Sequence, residues 1–200
     1  MIPNPLGANE TWPISEPAPS LWQSASSSKI GADALQARGL AKELNISVGS
    51  LYNAFGDLDG VFRAINARCA RMLASNLQQA IETASHDRRA RLVALGEAYF
   101  DFALAEPERW FLLFEHRNNL EPDAKTLALQ QGLLDMLIEA GEANANSEQQ
   151  RQFYLMLWAS VHGLVSLACR ATIVTMEPKL ARTFIGDLID ATFRAAPADV

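Results

Sequence analysis

Apolar residues recur at intervals of three to four positions from about residue 33 to about residue 195, which is the period of one face of an α-helix. No segment shows the every-second-residue alternation of a half-buried strand. Turn and cap signals, chiefly Gly, Pro and Asn, divide the helical pattern. The pattern predicts an all-α protein with helices over 34–44, 48–55, 57–83, 88–105, 107–117, 121–141, 147–175 and 178–195.

The first thirty residues differ from the rest of the chain. The stretch "MIPNPLGANETWPISEPAPSLWQSASSSK" contains five of the nine prolines, a serine cluster and few charges. Such a composition cannot bury enough apolar surface to form a packed core. We therefore expect residues 1–30 to be a disordered tail with a degenerate first helix.

The net charge, the cysteine content and the length of the apolar runs limit the classes of protein to which this chain can belong. The formal net charge is −6 and the isoelectric point is near 5.1, so any contact with nucleic acid must be local. Cys69 and Cys169 lie far apart in helical patterns, which suits reduced thiols in the cytoplasm. No uninterrupted apolar run has the length of a membrane span, so we expect a cytoplasmic protein without a membrane partner.

The segment "GADALQARGLAKELNISVGSLYNAF" contains two short apolar stripes separated by a break, a spacing that fits a helix-turn-helix. The second helix of this unit lies in the major groove of DNA, so its outward face must be small or polar. That face consists of Val48, Gly49, Ser50, Tyr52 and Asn53.

The stretch "ISVGSLYNAF", followed by "GDLDGVF", resembles the signature of TetR-family transcriptional regulators, which are homodimers of helical subunits. Gly31 and "RGLAKEL" fit the same pattern. Further along, "YFDFALAEPERWFLLFE" and "WASVHGLVSLA" resemble the C-terminal half of a TetR subgroup with a Trp and His-Gly motif. The resemblance implies that operator DNA is contacted by Arg38, Lys42, Ser47, Val48, Gly49, Ser50, Tyr52 and Asn53.

The chain departs from the family pattern in its N-terminal part. Ser27 stands where the family has a buried phenylalanine, and Leu58 replaces a lysine that follows the recognition helix. Residues 1–60 contain three basic and six acidic side chains, which weakens attraction to phosphate. These departures leave open an alternative, a TetR-like dimeric protein that binds a ligand or partner and has weakened or lost DNA binding.

The C-terminal half has aromatic side chains on several predicted helices. For any single one of them, a place in the packed core is the simpler interpretation. The resemblance implies that the set lines a pocket for a small apolar effector, formed by Phe102, Trp110, Phe111, Phe114, Trp158 and His162. A core histidine that is satisfied by a neighbouring group is an equal alternative for His162.

The last helix has apolar residues on two faces, which is more than one core contact needs. We expect the excess to be buried in an isologous homodimer, as the TetR resemblance implies. The expected interface residues are Gly163, Leu180, Phe184, Leu188 and Ala191.

No combination of residues in the sequence has the spacing of a catalytic or metal site, and we expect neither a cofactor nor an enzyme. An enzyme that uses the aromatic residues stays an alternative, which turnover of a bound ligand would reveal. The sequence thus predicts a cytoplasmic transcriptional regulator, a repressor released from double-stranded operator DNA by its effector. Residues 31–65 would form the helix-turn-helix domain, and residues 66–200 a larger helical domain for ligand binding and dimerisation.

Overall fold

The computed structural model describes residues 37–39, 41–42, 46–114, 124–144, 146–169 and 176–194. Every regular element in this part of the chain is a helix, which confirms the predicted all-α fold. In chain order the helices are α1 (Val48–Phe55), α2 (Leu58–Thr83), α3 (Arg88–Ala105), α4 (Pro107–Phe114), α5 (Ala124–Ala140), α6 (Glu148–Cys169) and α7 (Pro178–Arg194).

The predicted helix ends agree with the observed ones to within one residue for α1, α2, α3 and α7. Residues 37–39 and 41–42 are helical, as the helix predicted over 34–44 requires. The tail of residues 1–30 and the glycine at position 31 lie outside the described residues.

The chain divides into two compact units. The first contains Met1–Cys69 and Glu108–Asn119, and the second contains Ala70–Pro107 and Leu120–Val200. The domain limits expected from the sequence, 31–65 and 66–200, stay a prediction.

In the first unit, two apolar clusters hold the short helices. Ala37, Leu51 and Val61 form one cluster, which brings the helical residues before α1 together with α1 and the first turn of α2. The other cluster joins α2 to α4 and consists of Phe62, Cys69 and Leu112. The first cluster contains Leu51 of α1 and therefore fixes the position of this helix within the unit.

In the second unit, α7 packs against α3 and α6, and α5 packs against α3 and α6. Arg89 pairs with Asp190 and Asp101 pairs with Arg182, so α3 and α7 run antiparallel. The core of this unit includes Leu92, Phe100, Tyr154, Leu157, Ile185 and Ile189, all of them at most 2% exposed. Burial raises the pKa of the Tyr154 hydroxyl, which donates a hydrogen bond of 3.0 Å to the carbonyl oxygen of Gly141.

Helix α6 is long enough and apolar enough to cross a membrane, by length and composition alone. Charged and polar residues interrupt its apolar positions, so the helix contains no continuous apolar run of the length of a membrane span. However, α6 packs against α5 and α7 through Phe153, Tyr154, Leu157, Val161 and Val165, which are buried. Core helices of water-soluble proteins pass the same test, so α6 is weak support for a membrane span.

Candidate functional site

Helix α1 is the second helix of the predicted helix-turn-helix, and its start is fixed by Ser47. The Ser47 hydroxyl accepts a hydrogen bond of 2.9 Å from the backbone N–H of Ser50, as an N-cap does. At the other end, Gly56 has a φ of 81° and its N–H donates to the carbonyl of Tyr52. A residue with a Cβ rarely adopts such a φ, so glycine ends the helix there.

The outward face of α1 is accessible to solvent. Gly49, Ser50, Tyr52 and Asn53 are exposed, and Tyr52 shows 37% of its surface. Val48 differs, because it packs against the cluster of Ala37, Leu51 and Val61 and is only partly exposed. The face therefore presents one phenol, one amide, one hydroxyl and a glycine that allows close approach.

Charged groups near α1 are of both signs. Arg38 and Lys42 are exposed on the helical residues that precede it. Asp57 caps α2 by accepting a hydrogen bond of 2.6 Å from the N–H of Gly60, and its carboxylate lies 3.6 Å from Arg63. An acidic cap thus occupies the start of α2, where the sequence has Leu58 instead of a lysine.

In the second unit, His162 is held between two aromatic side chains. Its Nδ1 lies 2.7 Å from the hydroxyl oxygen of Tyr99, and its ring stacks on Trp158 with a centroid distance of 5.2 Å. Tyr99 is 5% exposed, whereas Trp158 and His162 are partly exposed. This arrangement satisfies the histidine, and it also places a polar group beside partly accessible aromatic surface.

The remaining aromatic residues of the expected pocket are divided between the units. Phe102 belongs to the second unit with Trp158 and His162, whereas Trp110, Phe111 and Phe114 belong to the first. The rings of Trp110 and Phe114 are 5.6 Å apart. Phe102 and Trp110 are buried, at 2% and 1% exposure. Within each unit these two side chains contribute to the packed core.

The contact between the Tyr99 hydroxyl and His162 was not predicted from the sequence. Tyr99 and His162 are 63 positions apart, and no local pattern links them. Only the packing of α3 against α6 brings the two side chains together.

One apolar surface of the second unit is exposed on α6 and α7. On α7, Ala181, Ile185 and Ile189 face the core, while Leu180 and Phe184 are 45% and 37% exposed. On α6 the exposed residues include Leu155, Met156 and Leu167. Nothing lies within 4 Å of the position that a Cβ at Gly163 would occupy. Leu188 is partly exposed and Ala191 is exposed, so the predicted interface residues lie on accessible surface.

The described residues contain no group of three or more His, Cys, Asp or Glu side chains that could hold a metal ion. Burial raises the pKa of the Cys169 thiol, which is the opposite of what a reactive cysteine needs.

Sequence and structure comparisons relate the chain to regulatory proteins. The family model described as "Tetracyclin repressor-like, C-terminal domain" matches residues 92–191, which is half of the chain. A comparison with curated proteins found no match.

Several solved structures share the fold. A protein of unknown function from Rhodococcus sp. RHA1 is 23% identical, with a TM-score of 0.66 over 92% of this chain and 98% of that one. A TetR-family transcriptional regulator from Streptomyces coelicolor is 18% identical, with a TM-score of 0.63 over 88% and 97%. The TetR-family regulator PfmR from Thermus thermophilus is 17% identical, with a TM-score of 0.59 over 86% and 97%. At these identities the structures show a common fold.

Proposed function

The chain belongs to the TetR family of transcriptional regulators, and from this membership we propose that it is a cytoplasmic, homodimeric repressor released from operator DNA by a small apolar effector. The observation that carries the proposal is the geometry of α1. Its start is capped by Ser47, and its exposed face consists of small and polar side chains. A helix with these properties fits the major groove.

In the proposed complex, Gly49 and Ser50 approach the base edges, and Asn53 contacts a base or phosphate. The Tyr52 hydroxyl donates a hydrogen bond to a phosphate. Arg38 and Lys42 are exposed on the preceding helix and bind the DNA backbone electrostatically. Val48 contributes less, since part of its side chain packs in the core of the unit.

The effector is proposed to bind beside Trp158 and His162, where aromatic surface and a polar group lie together. Helix α2 contributes residues to both compact units, and we propose that ligand binding reaches α1 through it. A coupling free energy of about 1–3 kcal/mol would weaken operator binding roughly 5- to 150-fold.

The dimer is proposed to form through the exposed apolar surfaces of α6 and α7. Leu180 and Phe184 would pack against the partner, and the open space above Gly163 would admit a partner helix. We expect Gly163→Leu to shift sedimentation from dimer to monomer while the circular dichroism spectrum is kept. Gly132→Leu is the matched control, because Gly132 also has open space above it but lies on α5. A Gly163→Leu protein that stays dimeric would contradict this interface.

DNA binding is tested by selection of the full-length protein against a randomised duplex library, followed by fluorescence anisotropy on the selected sequence across a salt series. We expect Tyr52→Phe and Asn53→Ala to weaken binding, because each removes one polar contact from α1. Asn76→Ala, at an exposed position of α2, is the matched control. Effector response is then measured as release of this DNA in a screen of small apolar compounds. Trp158→Phe and His162→Gln are expected to abolish release without loss of DNA binding.

A second candidate is a dimeric ligand- or partner-binding protein that no longer recognises an operator. The observation that favours it is the acidic start of α2, where Asp57 both caps the helix and lies near Arg63. This candidate predicts that a folded dimer selects no sequence from the library at any salt concentration. In that outcome the ligand site would be the only functional site of the family that the chain retains.

A further inference from the structure

A groove in the second unit lies where the first turns of α3 meet the last turns of α7. Its volume is about 340 Å³, which is at the lower end of the range of roughly 300–1,000 Å³ for small-molecule sites. Its apolar lining consists of Phe193, which is partly exposed, and of the buried side chains of Leu92 and Ile189, and three arginines stand beside them. The proposed DNA, effector and dimer contacts use none of these residues, so the groove is independent of the function proposed above.

The side chains that line the groove carry three positive charges and one negative charge. Two carboxylates outside the lining, Asp87 and Asp187, also act on Arg89 and help to raise its pKa. Arg89 is neutralised by Asp190, since Nε lies 2.5 Å from Oδ1 and Nη2 lies 2.8 Å from Oδ2. No described carboxylate lies within the 4.0 Å of an ion pair from Arg88 or Arg194, although the charge of Arg194 contributes to the lowered pKa of Asp190. Two cationic side chains therefore face one groove in a chain whose net charge is −6. An anion is the ligand that complements them.

The guanidinium of Arg88 is held in place by an aromatic ring. It lies over Phe193, with its central carbon 4.5 Å from the ring centroid. A stacked guanidinium keeps its N–H groups at the edge of the plane, where they can form two parallel hydrogen bonds with a carboxylate. Phe193 in turn packs against Phe153 and Tyr154, so the ring is part of a fixed cluster.

We propose that this groove binds a small carboxylate attached to a flat apolar body. The carboxylate would pair with Arg88 and Arg194, and the apolar body would lie against the part of Phe193 that stays accessible and against the aliphatic stems of the arginines. A bare inorganic anion would leave the apolar part of the groove unused, and a neutral apolar compound would leave the two arginines without a counter-charge. The combination of both features selects an amphipathic carboxylate.

The test is isothermal titration of the full-length protein with naphthoate, naphthamide and acetate. Naphthamide keeps the ring system without the charge, and acetate keeps the charge without the rings. We expect naphthoate to bind at least about tenfold more tightly than either compound, which corresponds to about 1.4 kcal/mol. Its affinity should fall between about 50 mM and about 500 mM sodium chloride, since exposed charges are screened.

Single substitutions test whether naphthoate binds in the groove. Arg88→Gln and Arg194→Gln are each expected to weaken naphthoate binding about tenfold, whereas Arg71→Gln, at an exposed position of α2 outside the groove, should have no effect. Arg88→Lys keeps the charge without the planar fork and should give an intermediate loss. Asp190→Asn removes the carboxylate that neutralises Arg89, so Arg89 adds a positive charge to the groove and naphthoate should bind more tightly. Circular dichroism confirms that each variant is folded.

Two results would overturn the proposal. One is equal affinity for naphthoate and naphthamide. The other is naphthoate binding that is unchanged in Arg88→Gln and in Arg194→Gln. If Trp158→Phe and His162→Gln abolish that binding instead, naphthoate occupies the proposed effector site and not the groove. Neither result bears on DNA recognition by α1, which is measured separately.

Discussion

Helices α3 and α7 approach each other closely at Gly96. A Cβ built at this glycine would lie 2.6 Å from Cγ2 of Ile185 and 4.0 Å from Cγ1 of Val161. Ile185 is fully buried. We therefore predict that Gly96→Ala, a change that favours an isolated helix, destabilises this protein.

The expected magnitude follows from two opposing effects. Non-bonded carbons prefer a separation of about 3.5–4.0 Å, so the added methyl group is about 1 Å too close. The Ile185 methyl branches directly from Cβ in a buried environment and cannot rotate away freely, and such overpacking costs about 1–3 kcal/mol. The helix propensity of alanine offsets about 1 kcal/mol. The net effect is a destabilisation of up to about 2 kcal/mol.

Gly132→Ala provides the matched control, because nothing lies within 4 Å of a Cβ at that position of α5. This variant changes only the helix propensity, and it should raise the free energy of unfolding by about 0.5–1 kcal/mol. The difference between the two variants isolates the overpacking, about 1–3 kcal/mol. It is measured by urea unfolding at one protein concentration, since dimerisation also affects the midpoint.

A double-mutant cycle with Ile185→Leu identifies the contact, because leucine lacks the γ2 methyl group. The double variant should be more stable than the sum of the single changes by about 0.5–3 kcal/mol. If Gly96→Ala stabilises the protein as much as Gly132→Ala does, the added methyl group does not overpack Ile185, and the predicted close approach of α3 and α7 at Gly96 is wrong.

Three further predictions concern hydrogen bonds and charge. Ser47→Ala should destabilise α1 by about 0.5–2 kcal/mol and weaken operator binding in the anisotropy assay, and Ser47→Asn should restore both. Tyr99→Phe should lower the unfolding free energy by about 0.5–1.5 kcal/mol in urea titrations, because His162 loses its hydroxyl partner; an unchanged midpoint would contradict the 2.7 Å contact. The hydrogen bond from Arg89 holds the pKa of Asp190 below its ordinary value of 3.8. This carboxylate therefore stabilises the fold above about pH 4 and loses that effect as the pH falls through its lowered pKa, so a cycle of Arg89→Gln and Asp190→Asn should show coupling at neutral pH and none in strong acid.

The helices could be predicted from the sequence because their signals are local. Ser47 and Asp57 act as caps through hydrogen bonds to residues three positions away, and glycine at position 56 supplies a positive φ. Such contacts depend only on neighbours in the chain. The helix-turn-helix pattern is local in the same sense, and four of the five residues that its spacing indicated are on the exposed face of α1, while Val48 packs partly in the core of the unit.

The partners of side chains on distant helices could not be predicted in this way. The contact between the Tyr99 hydroxyl and His162 joins two helices whose residues are 63 positions apart, whereas the pocket expected from Phe102, Trp110, Phe111, Phe114, Trp158 and His162 stays a prediction. The stacking of Arg88 on Phe193 joins residues more than a hundred positions apart, and no local pattern indicated it. Each of these pairings depends on which faces of two helices meet.

The sequence by itself determined where the helices begin and end, which side chains share a face, and the family to which the chain is related. The first two properties follow from the helical period and from hydrogen bonds within a few residues, and the family was indicated by the resemblance of its motifs. Only the tertiary structure decided that Ile185 faces the core while Leu180 and Phe184 are exposed. Both faces of α7 are apolar, so hydrophobicity cannot distinguish them. The choice depends on the close fit of Ile185 against Gly96, a contact between residues that are neighbours only after folding.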